Sequence, residues 1–375
     1  MGSISKCQKL SKESNIKRSE EDRISILPSC VIGHIISFLP TKDAVATCIL
    51  STKWTHHWRS ISILEFDDSG HSQNRNRQSL QSLEESFKNF VYRVIMLNVS
   101  DLQKFQLRCF LDYDVSHINL WVYAALSRNV REMRLTVLMN SHKLAPRELF
   151  TCNTLVVLKL RGVFVLNVPT LVHLQKLKIL CLDSIEFSDD ESVERFFPGC
   201  PVLEDLWIIG CLWRNITVFN ICAPVLRILT IHGDSTNIDW KCKIVLNTPN
   251  LQTFTYDDCL VEEELAVANF VEGISKVQRL HLSDGSVETL QLCSHPLPDF
   301  PHLTYLELGL LQDETCRWSP PENVPSCLLL HLEEIRIEFF RGKRDEMRMA
   351  RYFLMNSKVL KKLTICPDGD ELGGL

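Results

Sequence analysis

Few stretches of this 375-residue chain combine residue types at a spacing that chemistry could use. His331-Leu332-Glu333 has the His-x-Glu form that sets a zinc-bound water beside an acid/base carboxylate. That chemistry needs a paired-cysteine segment downstream, and no Cys-x-x-Cys follows. His56-His57 offers two imidazoles, but adjacent helical residues do not share a face, so a solvated surface is expected. Arg341, Lys343 and Arg344 could hold an anion, yet Asp345 and Glu346 follow at once and offset them. None of the fifteen cysteines sits in a Cys-x-x-Cys pair. Free thiols acting as small apolar residues are expected, at Cys181, Cys211 and Cys222 among others. Gly-rich phosphate loops, HExxH and GxSxG are missing. No catalytic residue, no cofactor site and no metal site is therefore expected.

Composition narrows the class further. With 45% hydrophobic and 23% charged residues the chain has ample core material. A single core stops growing near this size, so two domains or an elongated repeat are expected. A net charge of −5 gives no electrostatic case for nucleic acid. Polar residues 1–21 lack the apolar run of a signal peptide, and charges interrupt every apolar run elsewhere. An intracellular protein, cytoplasmic and/or nuclear and not bound to membrane, is expected.

The elements that position side chains come from a repeat. Leu155-Val-Val-Leu158-Lys-Leu160 is followed by Leu177…Leu180…Leu182 and Leu203…Leu206…Ile208. Further copies lie at Leu226…Leu229…Ile231, Leu251…Phe254…Tyr256, Val277…Leu280…Leu282, Leu303…Leu306…Leu308, Leu332…Ile335…Ile337 and Leu360…Leu363…Ile365. Weaker ones precede them at Leu102…Phe105…Leu107 and Val130…Met133…Leu135. The copies start 22 to 29 residues apart, a leucine-rich-repeat period. In each copy the last two apolar residues are two apart, so they point inward from one strand. Stacked copies bury a continuous core behind a parallel sheet. The predicted fold class is an α/β solenoid, a leucine-rich-repeat horseshoe.

Residues flanking each inward pair should face the concave wall. One column reads Lys159, Cys181, Trp207, Thr230, Thr255, His281, Glu307, Arg336 and Thr364. Beside it run Asp205, Ile228, Thr253, Arg279, Tyr305 and Glu334. Trp207, Arg279, Tyr305 and Arg336 belong to residue types that dominate interfaces and are the expected target contacts. Trp207 could equally pack beneath a loop of its own chain.

Residues 22–66 have a helical rhythm. Ile32, Ile35, Ile36 and Leu39 make one stripe, Pro40 stops that helix, and Thr41 can cap the next, with Asp43 in its first turn. Trp54 and Trp58, four apart, suggest a third short helix. Three short helices form a marginal unit that usually leans on a partner. Residues 67–82 are polar and aperiodic, as in an exposed linker.

The run from Asp22 to Asp68 resembles the F-box of the plant F-box/FBD/leucine-rich-repeat family. The matching elements are Leu27-Pro28, Phe38-Leu39-Pro40, Thr41 to Val45, Leu50-Ser51, Trp54 and Trp58. Residues 321–375 are similar to that family's FBD segment through Pro325, Cys327-Leu328, Gly342, Glu346, Tyr352-Phe353-Leu354 and Asn356-Ser357. The resemblance implies a flexible tail (1–21), an F-box (22–66), a linker (67–82), repeats (83–320) and an FBD-like segment (321–375) that completes and caps the solenoid. It also implies a non-catalytic substrate-recognition subunit of an SCF-type ubiquitin ligase, bound to a Skp-type adaptor and through it to cullin and RING subunits. The adaptor contacts so implied are Leu27, Pro28, Ile35, Leu39, Pro40, Leu50, Ser51 and Trp54. Ser29-Cys30 stand where the family usually has a carboxylate. An interaction scaffold with an F-box not engaged in a ligase is the alternative.

Overall fold

The computed structural model describes residues 26–69, 77–138, 143–233, 242–257, 273–283, 300–310, 320–321 and 323–367. The expected tail and residues 70–76 of the expected linker lie outside them. In chain order the strands are β1 (Ile63–Asp67), β2 (Lys104–Cys109), β3 (Glu132–Val137), β4 (Lys143–Leu144), β5 (Val157–Gly162), β6 (Phe164–Leu166), β7 (Ile179–Asp183) and β8 (Glu186–Phe187). There follow β9 (Asp205–Ile209), β10 (Val218–Cys222), β11 (Ile228–His232), β12 (Lys243–Asn247), β13 (Thr253–Asp257), β14 (Arg279–Leu282), β15 (Tyr305–Gly309), β16 (Glu334–Phe340) and β17 (Lys362–Pro367).

Twelve of these form one parallel sheet in the order β1-β2-β3-β5-β7-β9-β11-β13-β14-β15-β16-β17. Its register aligns the predicted inward pairs without a slip from β2 to β17, so that Leu206 faces Leu229, Phe254 and onward to Leu363. A one-residue slip would turn every apolar pair toward solvent, which is why alternation fixes the register. The leucine-rich-repeat solenoid is thus the observed fold. Smaller parallel ladders, β4-β6-β8 and β10-β12, lie outside this sheet.

The sheet begins earlier than expected. Ile61, Leu64 and Phe66 repeat the apolar pattern and are buried, and β1 pairs in parallel with β2. This twelfth copy lies inside the stretch that resembles the F-box. Helix Arg77–Leu97 then takes up the last six residues of the expected linker. Asp68 is no solvated linker residue either. It is fully buried and accepts hydrogen bonds from the Phe110 and Leu111 amides (2.8 and 3.1 Å) and the Tyr113 hydroxyl (2.9 Å). Burial pushes its carboxyl above the ordinary value, and these three donors oppose the shift.

In the helical module, helix Ser29–Ser37 buries Ile32 and Ile36 completely, and helix Thr41–Ala46 follows. Thr41 does not cap that helix. Its buried hydroxyl accepts the amide of Glu65 on β1 at 2.7 Å. Asn98 adds a second tie, donating its side-chain amide to the Ile61 carbonyl at 2.9 Å. Trp54 and Trp58 share no single helix, since a run of turns at 52–56 precedes the short 3-10 helix His57–Ser60.

At the other end β16, helix Arg344–Asn356 and β17 continue the solenoid. Gly342, at φ +76°, makes the turn between strand and helix in a conformation that favours glycine. Glu346 accepts the amides of Arg341 (2.8 Å) and Lys343 (3.1 Å), closing the helix start. The buried face of this helix is Met349, Ala350 and Phe353, whereas Met347 and Leu354 are exposed. Ile365 on the last strand is 42% exposed where Ile337 one strand earlier is fully buried. The described residues extend the core here without covering its end.

Candidate binding surfaces

The first surface is on the helical module. Helix Ser29–Ser37 carries two apolar stripes offset by one residue, because Val31, Ile35 and Phe38 repeat the spacing of Ile32, Ile36 and Leu39. The second stripe faces the core; Val31, Ile35 and Phe38 face outward, Phe38 being 74% exposed. Ile26, Ile49 and Leu50 add further exposed apolar area. Scattered exposed leucines are ordinary, but a helix apolar on two faces marks a surface that needs covering.

The residues singled out from sequence divide between surface and core. Pro28, Ile35, Pro40 and Leu50 are exposed. Leu27 and Leu39 are half-buried against the core, and the Leu27 carbonyl accepts from Lys53 Nζ at 2.5 Å. Ser51 is half-buried. Trp54, expected at the adaptor surface, is a core residue with 3% exposure. A small module with few large side chains gains most by keeping that indole, roughly 150–250 Å² of surface, inside. Val31, Phe38 and Ile49 were not among the expected contacts, and the outward stripe through Val31, Ile35 and Phe38 was the signal for the first two.

The second surface is the concave wall. Both predicted columns stand in register, Lys159 to Thr364 and Asp205 to Glu334. Arg279, Tyr305 and Arg336 come together on β14, β15 and β16. The Arg279 guanidinium lies 4.0 Å from the Tyr305 ring centre, and the Tyr305 hydroxyl donates to Glu307. Glu307 also meets His281 Nδ1 at 3.1 Å, and Arg336 pairs with Glu338 at 2.8 Å. Burial and Glu307 push the Tyr305 phenol up to about 12. Burial lowers His281 from its ordinary value against the opposing pull of Glu307, so its imidazole is neutral at pH 7. This end of the wall is a self-paired polar network. Trp207 stands apart on β9, 39% exposed, with no loop of the described residues covering it.

Among the described residues no group of three His, Cys, Asp or Glu side chains could hold a metal ion, and no helix is long and apolar enough to cross a membrane. The cysteines recorded there are free thiols; Cys211 is buried and Cys181 and Cys222 half-buried. An apolar-faced helical module fused to a parallel-strand horseshoe defines the F-box/leucine-rich-repeat class of protein. Sequence comparison matches residues 24–66 to the F-box domain, 118–270 to "FBD-associated F-box protein At5g56370, LRR repeats" and 320–365 to FBD. Among relatives in Arabidopsis thaliana, F-box/LRR-repeat protein At3g59200 is 31% identical over 82% of this chain and 67% of its own length. F-box/FBD/LRR-repeat proteins At2g04230 and At4g00160 are each 30% identical over 92% of this chain and 88% and 86% of their own. The chain belongs to the plant F-box/FBD/leucine-rich-repeat family. Its architecture, typical of substrate receptors, is that of a non-catalytic adaptor.

Proposed function

We propose that the chain is the substrate-recognition subunit of an SCF-type ubiquitin ligase. The helical module docks a Skp-type adaptor, which links it to cullin and RING subunits, and the concave wall holds a target protein for ubiquitination. The observation that carries this reading is the outward stripe Val31, Ile35 and Phe38 with Ile49 and Leu50, an apolar surface on a module that also fills its own core. Pro28, Leu39, Pro40 and Ser51 border that stripe in the sequence, and Leu27 supports it from the half-buried layer. On this reading Trp54 holds the module together and contacts no partner directly. Trp207, Arg279, Tyr305 and Arg336 lie on the wall that receives the target, and the protein works in the cytoplasm and/or nucleus.

The test is co-expression with a Skp-type adaptor and cullin, followed by gel filtration. A stoichiometric complex is expected, and Ile35→Glu with Phe38→Glu should abolish it while leaving the far-ultraviolet circular dichroism unchanged. A wild-type chain that folds but elutes alone would instead favour an interaction scaffold outside a ligase. The first turn of helix Ser29–Ser37, which carries no acidic residue, is the feature that agrees with that second reading.

A further inference from the structure

The middle of the concave wall differs from both of its ends. On β1, β2, β3, β5, β7 and β9 the charges facing the wall pair with one another: Lys104 with Glu65, Arg108 with Asp67, Arg134 with Glu132, Arg161 with Asp183. Two do not. Lys159 on β5 and Asp205 on β9 have no opposite charge within 4 Å among the described residues. Between and beside them the wall turns apolar, with half-buried Ile179, Cys181 and Ile228 around the indole of Trp207. Thr230, next to Trp207 in register, is the one residue of its column that is buried, at 4% exposure. Burial and the neighbouring Glu204 hold the Asp205 carboxyl above its ordinary value, against the opposing pull of Arg227, which forms no ion pair with it within 4 Å.

We propose that this stretch is an anchor shelf for one linear segment of the target: a bulky apolar side chain laid on Trp207, a basic residue at Asp205 and an acidic residue at Lys159. The proposal rests on the reading of the wall as the target-holding surface. Two strand spacings across and two residues along separate the unpaired charges by about 12 Å of backbone, which an extended segment covers in about four residues. Opposite charges left open at that separation, on either side of an apolar surface, are complementary to such a segment and to no uniformly acidic or basic one. Farther along the wall Tyr305 and His281 both contact Glu307, and the Arg279 guanidinium lies over the Tyr305 ring.

The test uses the full chain in complex with its adaptor, panned against a random peptide display library. Wild type should enrich peptides with an aromatic or large aliphatic residue between a basic and an acidic residue about four positions apart. Asp205→Lys should replace the basic preference by an acidic one, and Lys159→Glu should replace the acidic preference by a basic one. Trp207→Ala should weaken the best peptide by about tenfold or more, whereas Arg348→Ala, on the C-terminal helix and off the wall, should leave it within about twofold. No enrichment from folded wild type, or a motif unmoved by both charge swaps, overturns the shelf. A motif that depends on Arg279, Tyr305 or Arg336 and ignores Trp207 overturns it too, while keeping the wall as the target site. Concentration-dependent dimerisation lost in Trp207→Ala would show that a second copy covers this face, and the proposal fails. Loss of the adaptor complex in wild type is a separate result, which removes the ligase reading itself.

Discussion

The hydroxyl of Thr41, in the second helix of the module, accepts the backbone amide of Glu65 in the first strand of the sheet at 2.7 Å. Thr41 is 1% exposed, so this bond is shielded from water and joins the F-box helices to the repeat core. The Asn98 side chain bonds the Ile61 carbonyl, the Ser62 carbonyl accepts the amide of Gln103, and Ile36, Trp58, Leu64 and Phe105 belong to one apolar cluster. The outward apolar stripe of the module and the concave wall are thus joined through one buried core, and on the proposed reading that core sets the distance between a captured target and the adaptor.

Module and repeats should therefore unfold in one transition. In a variant whose other five tryptophans are phenylalanine, fluorescence, which then reports on Trp54 and Trp58 alone, and far-ultraviolet circular dichroism should give the same midpoint in urea. Thr41→Val should lower stability by roughly 1–2 kcal/mol, because the Glu65 amide loses its acceptor. An early fluorescence transition that leaves the sheet signal intact would show the module to be independent.

Surface and core roles within the module should separate cleanly. Ile35→Glu and Phe38→Glu are expected to change stability by less than about 0.5 kcal/mol each while abolishing adaptor capture. Trp54→Ala should instead cost roughly 3–5 kcal/mol, and adaptor binding should fall only in step with the folded fraction. A well-folded Trp54→Ala chain that cannot capture adaptor would return the indole to the contact surface.

Asp68 should be among the most sensitive polar positions. Asp68→Ala leaves two amides and the Tyr113 hydroxyl without their acceptor, a loss of at least about 3 kcal/mol by chemical denaturation. Tyr113→Phe removes one donor and should cost about 1 kcal/mol. If Asp68→Ala costs less than Tyr113→Phe, the carboxylate does not organise the turn after β2.

His281 makes the wall sensitive to acid. Its folded-state pKa lies below the ordinary histidine value of 6.5 because burial disfavours the charged imidazole. For a base shifted downward, the stabilising contribution is complete above that ordinary value and is lost as pH falls through the folded pKa. Thermal midpoints should thus fall between pH 7.5 and pH 5, and His281→Gln should flatten that fall. Equal slopes in wild type and variant would rule out this histidine as the source.

The C-terminal helix offers a check on which face is inside. Met349→Ala should cost roughly 2–5 kcal/mol, whereas Met347→Gln and Leu354→Gln should each stay within about 0.5 kcal/mol. The reverse order would place Met347 and Leu354 in the core.

Alternation of apolar residues, repeated every 22 to 29 positions, was enough on its own to specify the solenoid. It also specified the register, since only one pairing buries Leu206, Leu229, Phe254 and their successors together, and both concave columns follow from that register. The Ile61, Leu64, Phe66 copy carries the same pattern, but the insert that follows it and its place within the F-box run hid its membership of the sheet. Which of two adjacent isoleucines is buried was not decided locally either. Ile35 and Ile36 lie on one broad stripe, and the packing of helix Ser29–Ser37 against the segment around Trp58 chose Ile36. Likewise Trp54 lies in a run of turns at 52–56 rather than on a helix, and its indole belongs to the same core cluster as Ile32 and Ile36. Residue type and spacing bring Arg279, Tyr305 and Glu307 to one wall. Their contacts with one another, and the isolation of Lys159 and Asp205 beside Trp207, depend on side chains from strands 22 to 29 residues apart, and only the folded sheet sets those distances.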